Sequence, residues 1–116
     1  EAWAGVGLAP QRARGLGSLP VYTTGSAFNV TPVVALVPPQ PLKPNPQEVA
    51  QVFEVPLAFI LDPANHQRHR MFWQGREREW FAMPYKDPHD PLGAEHFIWG
   101  ATAGMLRNFY RFMAAQ

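Results

Sequence analysis

The end of the chain carries the pattern that most constrains its fold. Apolar side chains there recur at the spacing of one helical face, at Ile98, Met105, Leu106, Phe109, Phe112 and Met113. Gly100 and Gly104 lie four residues apart, and glycines on one helical face let a neighbour pack closely. The pattern therefore predicts a helix over about 98–113.

The segments before this helix have the character of strands. Residues 28–37 are nearly continuously apolar and rich in β-branched side chains, as buried strands are. Pro32 lies inside this segment and cannot donate a ladder hydrogen bond, which predicts an edge, a bulge or an unpaired side there. Strands are also predicted near 70–74 and 79–85, with Gln74–Gly75 as a hairpin turn between them.

The other segments are predicted to be short elements and connectors. We predict a loop over 9–18, a strand over 19–24 and a turn at 25–26. We also predict a strand over 53–55 and a helical turn over 56–61. Strands, helical turns and a long terminal helix indicate a mixed α/β protein.

Composition excludes several classes of protein. The 116 residues fit one domain, and the absence of cysteine excludes disulfides, zinc–thiolate sites and thiol catalysis. The net charge is +1 and the basic residues are scattered, so no nucleic-acid partner is expected. No apolar run is long enough for a membrane span and no leader is recognisable, so we expect no membrane and a cytoplasmic protein. Charged residues are only 16%, which is compatible with self-association.

Candidate site residues can be named, but each has a structural alternative. His66 and His69 lie three apart near Asp62, a spacing that suits a metal if the segment is helical, although its proline–asparagine sequence does not favour a helix. Glu48 and Glu54 could supply a ligand or base, or be surface residues.

Aromatic side chains and alternating charges mark the predicted hairpin. The aromatic residues could line a ligand groove, although aromatic residues of strands are first of all core: they are Trp73, Trp80, Phe81 and Tyr85. The alternating charges of residues 76–79 indicate a solvated hairpin face.

Several long blocks resemble one family, and they occur in that family's order. They cover nearly the whole chain: LGSLP (16–20), FNVTPVVALVPP (28–39), EVAQVFEVPLAFILDPANH (48–66), REWFAMPY (78–85) and FIWGATAGMLRNFY (97–110). The chain resembles the Nudix hydrolases, in particular the coenzyme A pyrophosphatase branch. The resemblance implies an α/β/α sandwich around a mixed sheet, with the strands near 28–37 and 79–85 in one sheet. It also implies that 1–116 is a single partial domain whose N-terminal part is missing.

The catalytic signature of that family ends in a helix bearing glutamates, and residues 1–8 fall where this ending belongs. Glu1 matches the first glutamate, which makes it the implied catalytic residue and ligand of Mg²⁺ or Mn²⁺. Ala4 and Gly5 stand where the paired glutamates are expected. Because one carboxylate cannot hold a cluster of metals, the chain alone is expected to be inactive.

Two functions follow from the resemblance and this departure from it. The first is metal-dependent hydrolysis of the pyrophosphate of coenzyme A or a related nucleoside diphosphate derivative. In that function, the aromatic residues of the predicted hairpin could stack an adenine or line a pantetheine groove. The alternative is a catalytically dead Nudix-like fragment that acts as a binding or assembly module.

Overall fold

A computed structural model describes residues 14–39, 45–47, 52–90 and 92–116. Their elements, in chain order, are β1 (Arg14–Ser18), β2 (Tyr22–Thr23), β3 (Asn29–Val30), β4 (Val33–Leu36), α1 (Leu57–Ile60), a 3₁₀ turn (Pro63–Asn65), β5 (Gln67–Trp73), β6 (Arg76–Tyr85), β7 (His96–Trp99) and α2 (Gly100–Ala114). The mixed α/β class predicted from the sequence is confirmed. The sandwich and the single partial domain stay predictions.

The chain divides into two compact units, which we describe separately. The first comprises 1–21 and 31–54, and the second comprises 22–30 and 55–116. In the first unit, β1 and β4 form an antiparallel pair with an irregularity between Gly15 and Gly17. The loop predicted over 9–18 is thus wrong for 14–18, because Val33–Leu36 supplies a partner strand that the glycine-rich composition did not reveal. Residues 9–13 lie outside the described part of the chain.

Pro32 divides the segment predicted as one strand over 28–37. Before it, β3 pairs with β2 in the second unit, and after it, β4 pairs with β1 in the first unit. The expectation that 28–37 shares a sheet with 79–85 is therefore wrong, since β3, β4 and β6 belong to three different sheets. A proline without an amide proton interrupts a ladder, and here the chain changes partners at that point.

The second unit is built on an antiparallel sheet of order β5-β6-β7. The predicted Gln74–Gly75 turn is confirmed: Trp73 pairs with Arg76, and the two turn residues have φ of 51° and 78°. Two positive φ values are typical of a type I′ hairpin. Pro84 lies in the central strand, but beyond the end of the β5 ladder at Ala82, so only its β7 side is paired.

The core of the second unit lies between this sheet and α2. Met83 and Ala103 are fully buried and pack with Tyr85 and Ile98. The helix predicted over 98–113 begins two residues later than expected, because Ile98 and Trp99 complete β7. Gly104 is buried under the ring of Tyr22, which confirms that close packing occurs at this glycine.

The smaller elements test the remaining sequence predictions. The turn at 25–26 is confirmed, as is the helical turn within 56–61, where α1 follows Pro56. The strand predicted over 53–55 is wrong, because these residues have no regular secondary structure. Only Tyr22–Thr23 of the strand predicted over 19–24 forms. Within the described ranges, neither helix has both the length and the apolar character that crossing a bilayer requires.

Candidate functional site

The residue predicted to be catalytic and to bind metal, Glu1, lies outside the described residues, as do Ala4, Gly5 and Glu48. Glu54 is described and is exposed. No group of three or more histidine, aspartate or glutamate side chains in the described ranges is arranged to hold a metal ion. The described residues therefore do not form a site for the Mg²⁺ or Mn²⁺ that Nudix hydrolases generally use, and we assign no step to a metal.

Asp62, His66 and His69 are not brought together as a metal site. Asp62 caps the 3₁₀ turn, where its Oδ1 accepts a hydrogen bond of 3.0 Å from the amide of Ala64. His66 has an extended backbone and His69 lies in β5, so the segment is not a helix. On an extended chain, positions three apart point to opposite sides, and the two imidazoles accordingly have different neighbours.

His66 belongs instead to a cluster that joins α2 to the sheet. Nη1 of Arg107 lies 3.2 Å from Nδ1 of His66, and Nε2 of His66 lies 2.7 Å from the carbonyl oxygen of Ile60. Because arginine can only donate, Nδ1 of His66 is the acceptor in the first contact, and Nε2 is placed to donate to the carbonyl of Ile60 in the second. The two contacts hold the imidazole between α2 and Ile60.

Arg107 also contacts two aromatic rings. Its Cζ lies 5.1 Å from the ring centre of Phe81 and 5.6 Å from that of Tyr110, while Tyr110 meets His66 edge to face at 5.1 Å. The Cζ of Arg68 lies 5.5 Å from the same Phe81 ring. These five residues form the arginine–histidine cluster, in which the half-buried Arg107 lies over two aromatic rings.

Sequence reasoning missed this cluster. The available signal was the Arg107–Tyr110 pair, since residues three apart on a helix share a face. The contact with His66 spans 41 residues, and no local pattern could have shown it.

Tyr85 is the one described residue with a clearly shifted ionisation. Burial, with a contribution from the Asp87 carboxylate, raises the pKa of the Tyr85 phenol. The ring packs edge to face on Phe59, with centroids 4.9 Å apart. At neutral pH the phenol is therefore protonated, and the residue is part of the core, not a group that transfers protons.

The register of the sheet sorts its side chains onto two faces. One, the core face, lies under α2 and carries Phe81, Met83 and Tyr85, so the prediction that Phe81 and Tyr85 are core is confirmed. The opposite side is the outer face, and it carries Trp73 and Trp80. Trp73 is 54% exposed, so the prediction of a core position is wrong for this residue.

The charges of the hairpin are divided between the same two faces. On the core face, the Nε atoms of Arg68 and Arg70 each lie 3.2 Å from Glu79, and Nε of Arg70 lies 3.7 Å from Glu77. These groups are well exposed, which agrees with the predicted solvated surface and makes each pair worth less than about 1 kcal/mol. Arg76 and Arg78 lie on the other side.

Comparison with known proteins shows what the chain is similar to. No protein-family model matches the chain. Curated relatives of the chain are Nudix hydrolases, and this similarity supports the Nudix family for it. The particular relatives are proteins named Uncharacterized Nudix hydrolase NudL, from Salmonella paratyphi B, Salmonella newport and Salmonella heidelberg. Each is 32% identical to this chain over 108 residues, or 92% of the chain. The chain spans about half the length of these relatives, 52%.

Proposed function

We propose that this chain derives from a pyrophosphatase of the Nudix class that acts on coenzyme A or a related nucleoside diphosphate derivative. The observation that carries the proposal is the 32% identity to Nudix hydrolases named NudL, which extends over 92% of the chain. The reaction is hydrolysis of the pyrophosphate, and with coenzyme A it yields phosphopantetheine and an adenosine bisphosphate. A cytoplasmic location and self-association are part of the same proposal.

The reaction requires carboxylates near the pyrophosphate. Nudix hydrolases generally use divalent metals, and clustered glutamates are suited to hold such hard cations. The resemblance assigns this role to Glu1, with Ala4 and Gly5 at the positions of two further glutamates. We therefore propose that the 116-residue chain turns coenzyme A over very slowly.

The test is to incubate the chain with coenzyme A and Mn²⁺ or Mg²⁺ and to measure phosphopantetheine by chromatography. We expect no product above the blank from the unaltered chain. The double substitution Ala4→Glu/Gly5→Glu, made in a protein extended to the full length of the relatives, should recover turnover, because it restores two carboxylates in a complete domain. A matched control, Gly25→Glu/Ser26→Glu, adds the same charge at an exposed turn and should not. If neither substitution changes turnover while the first creates metal binding, the pyrophosphatase proposal fails.

The second candidate is a binding or assembly module, and the presence of Ala4 and Gly5 favours it. A chain of this kind would bind coenzyme A without cleaving it. Isothermal titration of the unaltered chain with coenzyme A measures this binding directly. Binding without turnover, in both the unaltered and the Ala4→Glu/Gly5→Glu chains, would favour the module over the enzyme.

A further inference from the structure

We draw no further inference here: the strongest candidate, an anion site at the arginine–histidine cluster between α2 and the β5-β6-β7 sheet, carries nothing, because the chain spans 52% of its relatives and nothing in the described part of the chain shows what covers these side chains.

Discussion

Substituting Gly104 by alanine tests how α2 packs against the β2–β3 hairpin. Gly104 is a buried residue of the helix, and a Cβ added there would lie 2.7 Å from Cζ and 2.9 Å from Cε2 of Tyr22. Both distances are shorter than carbon atoms tolerate without moving. The Tyr22 ring, or the two-residue ladder that carries it, must therefore shift in the Gly104→Ala variant.

Two opposing effects set the magnitude. Alanine in place of glycine within a helix stabilises it by about 1 kcal/mol. Inserting a methyl group into a tightly packed contact costs about 1–3 kcal/mol. The free energy of unfolding of Gly104→Ala should therefore fall by up to about 2 kcal/mol. In a Tyr22→Ala background the clash is absent, and the same substitution should stabilise the protein by about 1 kcal/mol.

A double-mutant cycle separates the two effects. Urea denaturation followed by circular dichroism at the helix band gives the free energy of unfolding of the unaltered chain, both single variants and the double variant. The difference between the two backgrounds isolates the Tyr22 contact, and we expect a coupling of about 1–3 kcal/mol. If Gly104→Ala has the same effect in both backgrounds, to within about 0.5 kcal/mol, the packing described for this helix is refuted.

Three further predictions concern single positions. Gly100 begins α2 with φ of 64°, so Gly100→Ala should destabilise by about 1–2 kcal/mol in thermal unfolding although there is open space for its Cβ. Gln74→Asn should raise the urea midpoint, because asparagine suits the φ of 51° at this turn position, and an unchanged midpoint would argue against the turn assignment. The raised pKa of Tyr85 contributes stability that is present below pH 10.0 and is lost as pH rises through the higher folded pKa. Urea midpoints should therefore fall more steeply above pH 10.0 for the unaltered chain than for Tyr85→Phe.

Local patterns predicted the elements whose determinants are close together in sequence. The apolar spacing over 98–113 predicts α2 nearly in full. Gln74–Gly75 predicts the hairpin, because the formation of a type I′ turn depends mainly on its two central residues. Pro32 predicts an interruption of the strand, because proline has no amide proton to donate to a ladder. Its effect, a division between two sheets in two units, depends on which strands are available as partners. The residues near Pro32 do not show which strands β3 and β4 will pair with.

The candidate site was less predictable for the same reason. Spacing suggested that His66 and His69 act together, but the segment is extended and its side chains alternate, so the two imidazoles have separate neighbours. The partner of His66, Arg107, lies on a helix 41 residues away. The gathering of arginine and tryptophan on the outer face likewise depends on strand register, which a scan for runs of charge does not detect.

The most direct test of the proposed function compares coenzyme A hydrolysis by the unaltered chain and by a protein extended to the full length of the relatives that carries Ala4→Glu/Gly5→Glu. Both are assayed with Mn²⁺ at equal protein concentration, and phosphopantetheine is measured. We expect product from the substituted full-length protein and none above background from the unaltered chain, because each factor of ten in rate requires about 1.4 kcal/mol of transition-state stabilisation that the missing carboxylates cannot supply. Rapid metal-dependent turnover by the unaltered chain, with no gain on substitution, would contradict this. It would mean that other residues carry out catalysis, and Glu48 and Glu54 would then be the first residues to substitute.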